Sequence, residues 1–187
     1  MDKGLNLAAF VAVTRRRQWL LGAAFATGGL LARPAAALAA GEDELSHAAE
    51  AIHQEVNFKA SPQRLYEVLL DAAQFQKVEM LSDVGKSLDI TGKPAQIHRE
   101  AGGVFSIFAD YIVGRQIELV PNQRIVQAWR VQSWNPGIYS IAKFELMPQG
   151  SGTKLVFDHT GFPVGAGAHL TEGWKSHYWE PLEKYFG

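Results

Sequence analysis

Between Ile52 and Lys59 apolar and polar residues alternate. Ile52, Val56 and Phe58 share one face with Gln54, and His53, Glu55, Asn57 and Lys59 share the other. This period of two predicts a half-buried β-strand with His53 solvated on its polar face. At Ser61-Pro62 the period changes. Ser61 can accept from the free amides of a first helical turn, and Pro62 needs no donor there. A helix is therefore expected, with Leu65, Val68, Leu69 and Ala72 as its apolar stripe. Asp71 with Gln74 three residues on predicts a second cap and a short helix carrying Phe75. Residues 76–96 have no clear period, contain Gly85, Gly92 and Pro94, and read mostly as loop.

From Ile97 onward the pattern is of short strands and turns. Gly102-Gly103 opens a strand over 104–109, and a second over 111–119 is expected to set Val113, Ile117 and Leu119 on one side. Pro121-Asn122-Gln123 and Asn135-Pro136-Gly137 are turn chemistry. Between them, Ile125, Trp129 and Val131 point the same way; after them, Ala142, Phe144 and Leu146 share a face. Gln149-Gly150-Ser151-Gly152 turns the chain into a strand over 154–160. The turn spacing predicts antiparallel meanders. The last segment takes a helical period through Trp174, Tyr178, Pro181, Leu182 and Tyr185, with Pro181 expected to kink it.

The order is strand, two short helices, about six strands and a long C-terminal helix. An antiparallel sheet has an apolar face that must be covered, and the aromatic-rich last helix is the late element able to cover it. The expected class is α+β: a curved antiparallel sheet gripping a long helix, with inward aromatics lining any space between them.

The first forty residues read differently. Arg15-Arg16-Arg17-Gln18-Trp19 precedes an uncharged run from Leu20 to Leu31, and Ala37-Leu38-Ala39-Ala40 follows Arg33-Pro34. Basic, apolar and small-residue regions in this order predict a secretory signal over 1–40, with cleavage near Ala37, Ala39 and Ala40. Arg16-Arg17 resembles the twin-arginine export motif, a receptor-read address, which implies the twin-arginine translocase as a partner and a periplasmic location. An uncut signal acting as an anchor is the alternative. The run is shorter than the roughly 20 residues a spanning helix needs, and no later apolar run suggests a membrane span in the mature chain. Residues 41–50 read as a polar lead-in and 51–187 as the domain.

The chain has 187 residues, 47% of them apolar, and no cysteine, which excludes a disulfide framework, a thiol nucleophile and cysteine-based metal sites. The formal charge of −1 is divided unevenly: residues 41–187 carry a net −5, which argues against a nucleic-acid partner.

Sequence motifs add a family resemblance. Glu118-Leu119-Val120-Pro121-Asn122-Gln123-Arg124-Ile125-Val126-Gln127-Ala128-Trp129-Arg130 resembles the central signature of the family related to the activator of the heat-shock-protein-90 ATPase. Gly152-Thr153-Lys154-Leu155, His159-Thr160-Gly161-Phe162-Pro163 and the segment 169–186 with Gly173-Trp174 and Tyr185-Phe186 are similar to later parts of that family. Ser61-Pro62 before Tyr66-Glu67-Val68-Leu69 resembles its first helix. The resemblance covers about residues 50–187 and implies the START-like (SRPBCC) superfamily, whose helix-grip fold implies a hydrophobic cavity. It also implies a domain that, in known activators, is paired with a separate N-terminal chaperone-binding domain, for which residues 1–50 leave no room.

Within such a fold the candidate pocket residues are Phe105, Phe108, Tyr111, Trp129 and Phe144 on the strands, Trp134 and Tyr139 flanking the 135–137 turn, and Trp174, His177 and Tyr178 on the last helix. Their bland reading is ordinary core. His159, His169 and His177 fit no standard zinc spacing, so no metal site and no cofactor are expected. Glu100, Asp110, Glu118 and Asp158 lie on separate strands, and no G-x-S-x-G elbow occurs. The expected function is binding or carrying a small hydrophobic molecule, without catalysis. One alternative is a polyketide cyclase or hydratase using Tyr111, His159, His177 or Tyr178 for proton transfer. Another is a protein-interaction module with an apolar outer patch.

Overall fold

The computed structural model describes residues 50–88 and 92–187. The export motif Arg16-Arg17 and the cleavage region Ala37, Ala39 and Ala40 lie outside them. The alternating segment forms β1 (Ala51–Phe58), with Ile52 and Phe58 buried. Ser61 Oγ accepts from Arg64 N and opens α1 (Pro62–Leu70). Asp71 ends α1 with its backbone and caps α2 (Ala72–Glu79) with its side chain, which accepts from Gln74 N.

The segment 76–96 departs from the loop expected there. It carries the last turn of α2, a further helix α3 (Asp83–Ser87) and a two-residue strand β2 (Gln96–Ile97). Ser82 builds the corner between α2 and α3: its hydroxyl donates to Glu79 O at 2.7 Å and accepts from Gly85 N at 2.9 Å. Gly85 is required, because a Cβ there would run into the Glu79 carbonyl.

Strands β3 (Val104–Ile107), β4 (Ile112–Val120), β5 (Arg124–Val131), β6 (Ser140–Gln149) and β7 (Gly152–Thr160) follow. They join β1 and β2 in a seven-stranded sheet of order β1-β7-β6-β5-β4-β3-β2, antiparallel throughout. The inward faces of β5 and β6 are those expected: Ile125, Trp129 and Val131, and Ala142, Phe144 and Leu146, are all buried. The expected face of β4 is not. A bulge between Gln116 and Glu118 adds a residue and inverts the alternation. Ile112 and Gln116 therefore face inward before the bulge and Leu119 after it, while Ile117 is exposed.

The C-terminal helix lies against this inner face in three parts: α4 (Gly167–Trp174), one wide π turn (Lys175–Trp179) and α5 (Glu180–Phe186). The wide turn lies just before Pro181, the residue at which the sequence predicts a kink. Glu180 N reaches back five residues to Lys175 O, and Pro181, which has no N–H, falls in the first turn of α5. Gln54 of β1 ties the helix to the sheet, accepting from Trp179 Nε1 at 2.6 Å and donating to Thr171 O at 3.1 Å. The architecture is the α+β helix-grip fold.

Candidate functional site

The core beneath the last helix is aromatic. Trp174 sits at its centre, 5.4 Å from Trp129, 4.3 Å from Phe157 and 4.3 Å from Tyr178 between ring centroids, and stacked on Trp179. A polar relay runs through it. Trp174 Nε1 donates to His159 Nδ1 at 2.9 Å, His159 Nε2 lies 2.6 Å from Ser140 Oγ, and Ser140 Oγ donates to Trp129 O at 2.9 Å. Burial lowers the His159 pKa to about 4, so the ring is neutral at pH 7.

Beside this core a cavity of about 270 Å³ opens between helix and sheet. Leu170, Gly173, Trp174, His177 and Tyr178 of the C-terminal helix form one wall, with His169. Ile112 of β4 and Trp129 and Val131 of β5 form the opposite wall. Phe108 and Tyr111 of the β3–β4 turn, with Val84, Ser87 and Leu88 at the end of α3, close one side. Among the described residues, the lining contains no lysine, arginine or carboxylate, and its titratable side chains are Tyr111, His169, His177 and Tyr178. Burial, and then the charge of His169, lower the pKa of His177, and burial raises that of Tyr178.

The turn that supplies Phe108 and Tyr111 is strained. Phe108, Ala109 and Asp110 all have positive φ, at 52°, 53° and 68°, and such conformations cost on the order of 1 kcal/mol or more each. Glu79, wholly buried at the end of α2, holds the turn: its Oε1 accepts from Phe108 N at 2.6 Å. Burial, opposed by that hydrogen bond, pushes the Glu79 carboxyl up to about 7. Its Oε2 has no hydrogen-bond partner among the described residues.

Of the pocket candidates named from the sequence, Phe108, Tyr111, Trp129, Trp174, His177 and Tyr178 line this cavity. Phe105 and Phe144 instead line a much smaller void of about 20 Å³ on the other side of Tyr178. Trp134 packs edge-on against Trp129 at 5.6 Å without lining the cavity. Tyr139 is 49% exposed on the outer face, under the Arg130 guanidinium. His159 takes no part in the lining either; it is tied up in the relay. The α3 wall escaped the sequence reading because 76–96 reads as loop, although Ser82-Asp83 carries a helix-start signal: a capping serine followed by an acid in the first turn.

Residues 59–187 match the family described as Activator of Hsp90 ATPase homolog 1-like protein. Activator of 90 kDa heat shock protein ATPase homolog 1 of Homo sapiens is 27% identical over 130 residues, which cover 70% of this chain and 35% of that protein. The corresponding homolog of Dictyostelium discoideum is 26% identical over 130 residues, covering 69% of this chain and 31% of that protein. The chain thus spans about a third of the length of the curated relatives it matches. Among solved structures, an HSP90 activator from Plasmodium falciparum superposes with a TM-score of 0.62 at 22% identity, covering 72% of this chain and 94% of that one. CalU16 from Micromonospora echinospora does so at 0.59 and 15% identity, covering 74% and 77%. These likenesses speak to the fold. By its match over most of the domain, the chain belongs to the Activator of Hsp90 ATPase homolog 1-like family.

Proposed function

We propose that this protein is an exported START-like domain that binds or carries a small apolar molecule between its last helix and its sheet, without catalysis. The observation that carries the reading is the cavity of about 270 Å³ with largely apolar walls. For scale, an apolar cavity of roughly 150 Å³ accommodates benzene, so a molecule of one or two fused rings is the right size. The lining aromatics supply area, and a few polar groups are left to orient the ligand. Acid–base chemistry is poorly served: His159 is neutral and engaged at both ring nitrogens, and burial raises the pKa of the Tyr178 phenol, moving its ionisation further above neutral pH. Export rests on Arg16-Arg17, the uncharged run behind it and the small-residue segment at 37–40. The experiment is titration with an uncharged naphthalene-type fluorophore, read by energy transfer from the tryptophans. Saturable 1:1 binding is expected, and no transfer at all would leave the domain without this function.

A second reading has its own observation. On the outer face of the sheet, Val104 pairs with Arg115, Arg115 with Ala128 and Ala128 with Ile141, forming one cross-strand row. Val104, Ile141 and nearby Tyr139 are exposed. A row in which Arg115 stands among Val104, Ala128 and Ile141, with Arg130 two residues along β5, suits a protein partner with both apolar and acidic groups. Ile141→Glu would abolish such an association and leave binding in the cavity unchanged.

A further inference from the structure

The cavity is polar at its mouth and apolar in its depth. Phe108, Trp129, Leu170 and Trp174 form a buried wall. Ser87, Tyr111 and His169 are exposed and His177 is half-buried. His169, Gly173 and His177 follow one another at intervals of four along the helix, and all three line the cavity, so the two imidazoles flank a notch at Gly173. A Cβ built in that notch would meet only His177 Cδ2 within 4 Å, at 3.9 Å, which leaves room there for a ligand atom.

Hydrogen bonds within the protein decide what the mouth offers. Ser176 Oγ donates its single proton to Glu172 O at 2.8 Å. The same oxygen lies 3.4 Å from His177 Nδ1. With its proton committed to the nearer partner, it can only accept from the ring. The His177 proton therefore resides on Nδ1, and Nε2 is left as an acceptor. Nε2 shares the ring edge of Cδ2, which turns to the Gly173 notch, while Nδ1 turns to Ser176. Burial, and then the charge of His169, outweigh the opposing effects of Ser176, Asp83 and Glu172 and hold this imidazole neutral at pH 7.5. On the α3 side of the mouth, Ser87 Oγ has likewise given its proton to Val84 O, at 2.9 Å, and offers lone pairs.

Resting on the ligand-binding reading above, we infer that the cavity selects an uncharged apolar alcohol or phenol, its hydrocarbon body against the aromatic wall and its hydroxyl in the Gly173 notch, donating to His177 Nε2. An ether or ketone oxygen in the notch would set acceptor against acceptor, and a pure hydrocarbon would take Nε2 from water without replacing the lost hydrogen bond. Among the described residues, no lysine or arginine lines the cavity to pair an anion, and an unpaired anion taken out of water is far more costly than a hydroxyl. His177 is the residue that reads the ligand, and Ser176 is a positioning residue that acts through it by fixing the tautomer.

The test compares 2-naphthol, 2-methoxynaphthalene and naphthalene at pH 7.5, each read by displacement of the fluorophore used above. The naphthol is expected to bind about tenfold more tightly than the ether, the scale of one net hydrogen bond. In His177→Phe, which keeps a ring beside Phe108, the naphthol-to-ether ratio should fall to about one. In Ser176→Ala the imidazole is free to place its proton on Nε2, so the ether should gain and the ratio should fall as well. Both variants should keep the wild-type circular dichroism and melting transition. Long-range proton–nitrogen NMR of the ligand-free protein should find the His177 proton on Nδ1. Equal binding of naphthol and ether to the wild type, tightest binding of the ether (which would place its oxygen on a donor such as the Tyr111 phenol), a ratio unchanged in both variants, or a proton on Nε2 would overturn the inference while leaving the cavity a binding site. Failure of the fluorophore and of all three probes to bind would instead count against the proposed function itself.

Discussion

The indole N–H of Trp174, on the last helix, donates to Nδ1 of His159, on β7, at 2.9 Å. This fixes the histidine tautomer. With Nδ1 accepting, the proton resides on Nε2, which donates to Ser140 Oγ at 2.6 Å, and Ser140 in turn donates to the Trp129 carbonyl. The helix is thereby registered against two central strands by a directional chain within an otherwise non-directional aromatic core. His159, one of the proton-transfer candidates of the alternative enzyme reading, is here a fastener.

The fastener can be measured as a coupling. His159→Phe orphans the Trp174 N–H and should cost about 1–3 kcal/mol beyond the change in packing. Trp174→Phe removes the donor and leaves His159 Nδ1 unfilled. The double variant should be less destabilised than the sum of the singles by about 0.5–3 kcal/mol in chemical denaturation. Strict additivity would show that the two side chains do not act together.

Two buried titratable groups tilt stability with pH in opposite directions. Glu79 is pushed up to about 7, so the fold favours its neutral form; its contribution is present below its ordinary 4.5 and is lost as pH rises through 7. His159 is lowered to about 4, so its contribution is present above its ordinary 6.5 and is lost as pH falls towards 4. Each effect amounts to at most about 3 kcal/mol, and they offset one another between pH 5 and 6.5. Glu79→Gln, which keeps an oxygen for Phe108 N–H, should therefore become more stable relative to wild type as pH rises from 5 to 7.5. His159→Phe should gain relative to wild type as pH falls over the same range. Parallel pH profiles for all three proteins would contradict this assignment.

Gly173 faces the cavity from α4, and a Cβ built there meets only His177 Cδ2, at 3.9 Å. Gly173→Ala should fold normally and gain up to about 1 kcal/mol from helix propensity. Gly173→Leu should retain cooperative unfolding and lose uptake of the apolar probe by at least tenfold, because the side chain takes the ligand's space. Undiminished probe binding to the leucine variant would place the ligand elsewhere.

Export is tested apart from binding. Replacing Arg16 and Arg17 by lysine should hold the precursor inside the cell, as should deletion of the twin-arginine translocase. Processed protein reaching the periplasm in that deletion strain would exclude the route.

The sheet and its covering helix were legible in the sequence because their inward residues keep strict phase: Ile125, Trp129 and Val131 on β5 meet Trp174 and Tyr178 on the helix. Phase failed where the backbone changed its count. The bulge after Gln116 inverted β4, and the wide turn at Lys175–Trp179 brought Trp179 into the core beside Tyr178. One side of the cavity lay beyond pattern reading for another reason. Val84, Ser87 and Leu88 sit on or just after a five-residue helix, too short to show a period, and they reach the site only through the corner that Ser82 and Gly85 make. Tyr139 has the chemistry of a pocket residue, but its face is set by its place before Ser140, one residue out of phase with the core.

Native mass spectrometry of the protein purified from its own compartment, beside the Gly173→Leu variant purified in the same way, tests the central claim most directly. The account expects the wild type to carry a single small apolar molecule in 1:1 ratio, released on denaturation and absent from the variant. A wild type that carries nothing even after incubation with a cell-derived lipid extract, or an adduct equally abundant in both proteins, would contradict it.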